Sequence, residues 1–244
     1  LSYLAVVEGA AAMNLGEDPS TWFASAEESA LEVLRRDPEH GSALMSLAWA
    51  RIGKAAWDSQ RGQNSEPVLR ETLGLLGATR SGGPKEWEKS STVGQIHWQI
   101  ARDREARGVD SGPEYEEAQA AFLECCRLQP DSASHYLNAA TVLLERAERA
   151  LRRAEDPSPF VELGVKACHS ALGVDPNSVV ALAREAALLR KGAEWIEHRG
   201  GDPDDEYAAA MRIARVAAER APGSLDACEV VVRIAINMVD RLDA

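Results

Sequence analysis

The length, composition and charge of this chain exclude several classes of function before any motif is considered. Its 244 residues include 27 basic and 39 acidic side chains, and the resulting charge of −12 repels nucleic-acid phosphates and anionic lipid. Alanine is abundant and only 5% of the residues are aromatic, which favours close-packed helices over sheets. We therefore expect an all-α protein that binds neither nucleic acid nor membrane surfaces.

The sequence also bears on the cellular compartment. The longest apolar stretches fall short of the roughly 20 residues that cross a bilayer, and no secretory signal pattern is present. The 4 cysteines have neither the density nor the spacing of a disulfide or zinc framework, which predicts a reducing, cytoplasmic location. Since the chain begins with Leu1 inside an apolar periodic stretch, we interpret it as a segment of a longer protein.

Two landmarks recur along the chain with one period. The interval between successive members is 46 residues in both series. An acidic or amide residue forms the first series and a proline the second: Asp18, Asn64, Asp110, Asp156 and Asp202, and then Pro38, Pro84, Pro130, Pro176 and Pro222. We expect five helical repeats, after the tail of a partial repeat at residues 1–17. Their predicted bounds are residues 18–63, 64–109, 110–155, 156–201 and 202–244.

The landmarks also predict where helices begin and end. An Asp or Asn at an N-cap accepts hydrogen bonds from the amides of the first helical turn, and a proline fits that turn because it has no amide. Asp18 and Pro19 form such a pair, as do Asp156 and Pro157. The second proline of each repeat ends a helix, since the residue before a proline disfavours the α region. Each repeat is therefore predicted to hold a helix of about 16 residues and then one of about 21.

The apolar periodicity inside the repeats supports these helices. The seam of the shorter helices is Tyr115, Ala118, Phe122, Cys125 and Cys126 in the third repeat, with equivalents in the others. The seam of the longer helices is Tyr136, Ala140, Leu143 and Ala147, repeated as Leu182, Ala186, Leu189 and Ala193 and as Cys228, Val232, Ala235 and Val239. A helical hairpin of this size cannot bury such a face alone, so neighbouring repeats must stack into a solenoid.

This pattern resembles the tetratricopeptide repeat (TPR) family. The resemblance rests on YEEAQAAFLECCRLQPDSASHYLNAATVLL, from Tyr115 to Leu144, and on its counterpart from Phe160 to Leu189. The small residues of the family match Ala26, Ala118, Gly164 and Ala210 in the shorter helices and Ala48, Gly94, Ala140 and Ala186 in the longer ones. The resemblance implies a right-handed α-solenoid of antiparallel helix pairs that binds proteins or peptides.

The repeat length departs from the usual 34-residue TPR unit. The additional residues lie between the longer helix and the next Asp, which lengthens that helix. In this respect the chain is similar to TPR regions found downstream of serine/threonine kinase domains in myxobacteria and their relatives. That similarity suggests a regulatory segment of a bacterial signalling protein, although no kinase motif is present in the chain.

By the TPR resemblance, the longer helices line a concave groove. The residues expected to face it are Trp49, Gln95, Trp98, Gln99, Thr141, Glu145, Arg190, Lys191, Arg233 and Asn237. Two aromatic rings, amides and basic groups in an acidic protein make a plausible peptide site. The alternative is that these positions have no binding role and differ between repeats for that reason, and that the tryptophans are packing residues.

No motif in the sequence indicates catalysis. There is no Gly-rich phosphate loop, nucleophile elbow or metalloprotease motif, and the five histidines are never at metal-ligand spacing. Cys125 and Cys126 could form a redox pair or a soft-metal site, but they align with Val33 and Leu34, which predicts buried core positions. We therefore expect no enzyme activity, no cofactor and no metal.

Two functions remain from the sequence. The leading hypothesis is a non-enzymatic scaffold that binds a peptide or protein partner in its groove. The alternative is a sensor region that binds a small ligand between helices and controls an attached kinase or regulator. A polypeptide retained in a pull-down would favour the first, and thermal stabilisation by a metabolite would favour the second.

Overall fold

The computed structural model describes residues 2–79 and 83–240, with the side chains of Ser2 and Asp240 excepted. The described part of the chain folds into eleven α-helices and contains no β-strand, so the all-α prediction is confirmed. The helices are α1 (Ser2–Asn14), α2 (Ser20–Arg36), α3 (Gly41–Ser59), α4 (Glu66–Ala78), α5 (Glu86–Ala106), α6 (Gly112–Leu128), α7 (Ala133–Arg152), α8 (Ser158–Val174), α9 (Val179–His198), α10 (Asp204–Arg220) and α11 (Leu225–Asp240).

The helices divide into two compact units, Leu1–Leu128 and Gln129–Ala244. In the first unit the long helices α1, α3 and α5 lie side by side, and in the second unit α7, α9 and α11 do the same. Each short helix from α2 to α10, except α6, packs in its own unit against the long helix before it and the one after it, while α6 packs against α5. Within each unit the helices therefore stack as in an α-solenoid. The repeat bounds given above stay a prediction.

The short helices begin at equivalent positions. Their first residues are Ser20, Glu66, Gly112, Ser158 and Asp204, each two residues after a landmark Asp or Asn. The landmark side chain accepts a hydrogen bond from the amide of that first residue, as in Ser20 N to Asp18 Oδ1 at 2.9 Å. The same bond recurs at the other four helices, at distances of up to 3.2 Å.

The predicted N-cap was wrong by one residue. Pro19, Pro157 and Pro203 themselves occupy the N-cap positions of α2, α8 and α10, rather than the first turn. The side chain of the preceding Asp accepts a hydrogen bond from the backbone amide two residues later and so forms an Asx turn. A residue outside the helix thereby satisfies the amide of the first helical residue. Proline is compatible with this arrangement because an N-cap residue does not need to donate its own amide to the helix.

The long helices α1, α3, α5, α7 and α9 all end in the same loop conformation. The residue that leaves each helix has a positive φ, and the five are Gly16, Gly62, Gly108, Ala154 and Gly200. In the loop after α5, Gly108 N donates to Glu105 O at 3.0 Å and Val109 N donates to Arg104 O at 2.8 Å. This pair of bonds is a Schellman motif, which satisfies carbonyls that the helix leaves free.

The cores of the two units lie between the long and short helices. In the first unit the buried set includes Leu44, Ala48, Ile52, Leu69, Leu76, Ile96 and Ile100, and in the second it includes Ala186, Ala193, Tyr207, Ala210, Ala214 and Ile234. The predicted seams of α6, α7 and α9 are confirmed at most positions, since Ala118, Phe122, Ala140, Leu143, Ala147, Ala186 and Ala193 are fully buried.

The predicted seam of α11 is wrong. Val232 and Val239 are more than half exposed, and Cys228 is exposed as well. The positions of Val232 and Val239 are equivalent to buried alanines in α7 and α9, two helices that are each followed by a short helix packed against them. In the described part of the chain no short helix follows α11, so its own sequence pattern was not sufficient to bury the face.

Candidate binding face of the long helices

A cleft of about 880 Å³ opens between the N-terminal halves of α3 and α5 in the first unit. We call it the first cleft. Its floor includes a contact between the two helices, in which Thr92 Oγ1 lies 3.9 Å from Met45 Sδ. The side chains that line it are those of Tyr3, Asp37, His40, Ser42, Met45, Ser46, Trp49, Lys85, Trp87, Glu88, Ser91 and Thr92, together with Gly41, Gly83 and Pro84.

Aromatic rings and hydroxyl groups dominate the first cleft. Trp49 is half-buried, because one part of its ring packs against the core of the unit and the rest lines the cleft. Trp87, in the first turn of α5, is also half-buried, and Tyr3 of α1 is mostly exposed. Such a mixture of rings and short polar side chains can hold an apolar group and orient the polar groups beside it.

A second, smaller cleft of about 250 Å³ lies among α7, α9 and α11 in the second unit. Charged groups of both signs line most of it. Its lining consists of Leu144, Glu148, Val180, Ala183, Arg184, Ala187, Arg190, Asp226, Glu229, Val230 and Arg233. We call it the second cleft.

The two clefts open on the same face of the long helices. In the repeat register, Ser42, Met45, Ser46 and Trp49 of the first cleft correspond to Val180, Ala183, Arg184 and Ala187 of the second. Each pair differs by 138 residues, which is three periods. The face is therefore a repeated feature of the fold, and we call it the long-helix face.

Four of the predicted groove residues share one repeat position: Trp49, Gln95, Thr141 and Arg233. Trp49 lines the first cleft and Arg233 lines the second. Gln95 is half-buried on α5. Thr141 donates its hydroxyl to Leu137 O of its own helix at 2.8 Å.

Four others share a second position: Gln99, Glu145, Lys191 and Asn237. Gln99 is buried and Glu145 is half-buried. Lys191 Nζ lies 3.1 Å from Glu194 and 3.5 Å from Glu148. Asn237 Nδ2 donates to the Tyr207 hydroxyl at 3.2 Å, so this position takes part in contacts between helices.

Trp98 and Arg190 occupy the third position. Trp98 is half-buried, and the Arg102 guanidinium lies 5.5 Å from the centre of its ring. Arg190 is buried, forms an ion pair with Glu194 and borders the second cleft. The structure thus brings Trp49 into one cleft and Arg190 and Arg233 into the other, without Trp98 in the lining of either.

Sequence reasoning missed several residues of the first cleft. Trp87 is the clearest, and His40, which caps α3 by accepting a hydrogen bond from Ala43 N at 3.2 Å, is another. Both lie at the start of a long helix. Aligning the first turns of successive long helices would have placed Trp87 beside the N-terminal half of α3, because those helices are side by side.

A cluster of charged side chains joins α4, α5 and α6 on their common border. Glu114 is buried, and its Oε2 lies 2.8 Å from His97 Nδ1, while Arg70 also donates to its carboxylate. Glu66 accepts a hydrogen bond from Arg104 Nε at 3.0 Å. The cluster therefore neutralises carboxylates between three helices.

The pKa values of this cluster argue for a structural role. The hydrogen bond from Arg104 lowers the pKa of Glu66 to about 2. Burial acts to raise the pKa of Glu114, but hydrogen bonds from His97 and Arg70 outweigh it and the pKa is lowered. A carboxylate held in its charged form by neighbouring cations is a poor general acid or base near neutral pH.

The adjacent cysteines are buried, as predicted. Cys125 is inaccessible and its Sγ lies 3.3 Å from Trp87 O, and Cys126 is nearly inaccessible. Burial raises the pKa of both thiols, to about 12 for Cys126. Thiols with raised pKa values carry little thiolate, the form that reacts or binds metal.

Among the described residues, no three His, Cys, Asp or Glu side chains lie in an arrangement that could hold a metal ion. Among the described helices, none combines the length and the apolar character that crossing a bilayer requires.

The chain matches no family model and no curated protein. Among solved structures it is similar to one described as the "MamA RS-1 ArsTM double mutant", at 14% sequence identity and a TM-score of 0.48. The alignment covers 88% of this chain and 95% of that chain. A similarity at this level does not identify a function.

Proposed function

We propose that this chain is a non-enzymatic interaction module of the TPR type, which binds a peptide or protein segment along the long-helix face. The observation that carries the proposal is the position of the two clefts, which fall on the same repeat positions although they lie in different units. A segment bound at the first cleft would meet rings and hydroxyls, and a segment bound at the second cleft would meet charged groups of both signs.

The chemistry of the first cleft suits a peptide side chain. Trp49 and Trp87 offer apolar surface for an aliphatic or aromatic anchor, and Ser42, Ser46 and Ser91 offer hydroxyls for peptide groups beside it. Tryptophan side chains that a partner covers dominate the binding energy of many protein interfaces. The charge of −12 argues against a nucleic acid on this face.

The remaining predicted residues belong to the same proposal. Gln95, Trp98, Gln99, Thr141, Glu145, Arg190, Lys191, Arg233 and Asn237 are proposed partner-binding positions, directly or by holding neighbouring side chains in place. By the resemblance of its lengthened repeats, the module is proposed to act as a regulatory segment of a larger cytoplasmic signalling protein, such as a bacterial serine/threonine kinase.

One observation favours a second function, a sensor for a small ligand. The first cleft, at about 880 Å³, lies within the size range of small-molecule sites, and its aromatic walls are typical of them. In this alternative a metabolite bound between α3 and α5 would favour one arrangement of the helices and so control an attached domain.

Selection from a random peptide library displayed on phage would test the proposal. The matched control for Trp49→Ala is Trp22→Ala, because Trp22 is a partly exposed ring on the short helix α2. Peptides retained by the unchanged chain and by Trp22→Ala, but lost by Trp49→Ala, are the expected result. Peptides that bind Trp49→Ala equally well would contradict it. A library that yields no peptide, with thermal stabilisation by a metabolite, would favour the sensor.

A further inference from the structure

The second cleft contains two buried polar atoms that have no partner. The Nε atoms of Arg184 and Arg190, both on α9, are buried and donate no hydrogen bond within the described part of the chain. Both arginines line the cleft. Buried polar groups in folded proteins are nearly always hydrogen-bonded, so each exception requires an explanation. Two such donors in one cleft point to an acceptor that the chain itself does not supply.

Most other charged side chains of this cleft already have a counterion. Arg233 Nε donates to Glu229 Oε1 at 2.7 Å, and Glu148 Oε1 lies 3.5 Å from Lys191 Nζ. These pairs balance their own charges. Arg190 likewise forms its ion pair with a glutamate through Nη1, which leaves its Nε as the unused donor.

Arg184 and Asp226 are the exceptions. Arg184 lies on α9, which has α7 on one side and α11 on the other, and it forms no ion pair with any residue that the structure describes. The Asp226 carboxylate lines the same cleft from α11 and is also unpaired there. The cleft therefore holds one cation and one anion, on neighbouring helices, that are not bonded to each other.

The fold does not require an arginine at either position of α9. The residues at the equivalent positions of the other long helices are all uncharged. They are Ser46, Thr92, Asn138 and Val230 for Arg184, and Ile52, Trp98, Leu144 and Ile236 for Arg190. Since those helices pack side by side without a charge at these positions, helix packing does not explain the two arginines.

The rest of the lining is small and apolar. Leu144, Val180, Ala183, Ala187 and Val230 form this part of the wall. The volume of the cleft, about 250 Å³, is below the roughly 300–1,000 Å³ of sites for drug-sized molecules. Its occupant is therefore a molecule of few atoms that has an apolar part beside its charges.

We propose that the second cleft binds a free α-amino acid with a small apolar side chain. Its carboxylate accepts hydrogen bonds from Arg184 and from Arg190 Nε, and its ammonium group binds Asp226. A guanidinium matches the two oxygens of a carboxylate, and hydrogen bonds between charged groups are stronger than neutral ones. The proposal goes beyond the proposed function and stands whether or not a peptide binds the first cleft.

The balance of charge in the cleft disfavours other occupants. A phosphate would bring further negative charge towards Asp226 and Glu229. A residue inside a peptide has neither a free carboxylate nor a free ammonium group. A water molecule could accept from the Nε atoms, but it would leave Arg184 and Asp226 without counterions.

Isothermal titration of the unchanged chain with free alanine, valine and leucine would test the proposal. Two derivatives of each amino acid separate its charged groups, because the N-acetyl derivative keeps only the carboxylate and the amide keeps only the ammonium group. The variants are Arg184→Gln and Asp226→Asn. Arg215→Gln is the matched control, since Arg215 is an exposed arginine on α10 and outside the cleft.

We expect at least one of the three amino acids to bind the unchanged chain and Arg215→Gln alike. Its binding to Arg184→Gln and Asp226→Asn should be at least tenfold weaker, as should the binding of both its derivatives to the unchanged chain. Trp49→Ala should bind it as the unchanged chain does, so a failure of peptide binding at the first cleft leaves this result intact.

The stability of Arg184→Gln provides a separate readout. Without ligand, this variant should be at least as stable in urea as the unchanged chain, because it removes a charge that has no counterion. A marked loss of stability would assign Arg184 a structural role and overturn the proposal. Absence of binding by all three amino acids would also overturn it, as would equal binding by Arg184→Gln. An N-acetyl derivative that binds as tightly as its parent would show that the cleft takes a carboxylate from any source, against the proposal.

Discussion

At the scale of single residues, the loops that leave the long helices depend on one backbone conformation. The residues with positive φ are spaced by the full repeat, and four of the five are glycine. Glycine enters this region without strain, whereas a residue with a Cβ does so at a cost of about 1–2 kcal/mol. Ala154, with a φ of 55°, is the exception.

Replacing Ala154 with glycine should therefore stabilise the chain. The relief of strain exceeds the added entropy of the unfolded chain, and we expect a gain of about 0.5–1 kcal/mol in the free energy of unfolding. Urea unfolding followed by circular dichroism would measure it. The reverse change at an equivalent loop, Gly108→Ala, should destabilise by a similar amount. A loss of stability in Ala154→Gly would contradict the strain assigned to this loop.

Glu66 should make the stability depend on pH at the acid end. Its pKa in the folded chain is about 2, below its ordinary value of 4.5, because Arg104 binds the carboxylate. A lowered folded pKa contributes stability that is fully present above pH 4.5 and is lost as the pH falls towards 2. As the pH falls from 4.5 towards 2, the free energy of unfolding of Glu66→Gln should therefore decrease less than that of the unchanged chain.

Urea unfolding at pH 7 and at pH 3 would test this expectation. Glu219→Gln is the matched control, since Glu219 is an exposed carboxylate on α10. The control should follow the unchanged chain at both pH values. If Glu66→Gln also follows the unchanged chain, the ion pair with Arg104 does not stabilise the fold as described.

At the scale of helices, neighbouring elements match each other in size. Phe122 of α6 is inaccessible and packs against Gly94 of α5. Because protein interiors are close-packed, enlarging the glycine and truncating the ring should each lower the stability of the fold. The pair therefore tests whether the long and short helices dock as described.

We expect Gly94→Ala to destabilise the chain by about 1–3 kcal/mol, because the new methyl group overlaps the ring. Phe122→Ala should cost about 3–5 kcal/mol through the cavity that it leaves. In the double variant Gly94→Ala with Phe122→Leu, part of the first loss should be recovered. A double-mutant cycle in urea, completed by the single variant Phe122→Leu, would measure the coupling. Strictly additive losses would show that the two residues do not touch.

The same packing explains where sequence reasoning succeeded and where it failed. The two landmarks predicted the alternation of short and long helices because turn chemistry is local to Asp18, Pro38 and their equivalents. The seam of α11 was predicted to be buried, yet Val232 is exposed, since burial depends on the next element and not on the helix's own pattern. Trp87 was missed because its neighbour in the first cleft, Trp49, lies on another helix.

At the scale of the whole molecule, repetition extends from the fold to the candidate site. The clefts of the two units use equivalent positions on the long helices, so a single face recurs along the chain. The composition predicted the all-α class, and the period predicted the order of helices. The ligand chemistry of the face depends on which residue occupies each repeat position. Trp49 and Ala187 share one such position, and the repeat period does not predict this difference between them.

The central claim is that the long-helix face is a binding site. Its most direct test is the dissociation constant of a peptide selected on the unchanged chain. Isothermal titration would compare the unchanged chain with Trp49→Ala, Trp98→Ala and the control Trp22→Ala. We predict that Trp49→Ala weakens binding by about 2 kcal/mol or more, roughly 30-fold, with helicity nearly unchanged. Trp98→Ala should weaken it as well, and Trp22→Ala should leave it unaltered. Tryptophan variants that melt early but bind the peptide with the original dissociation constant when folded would contradict the claim.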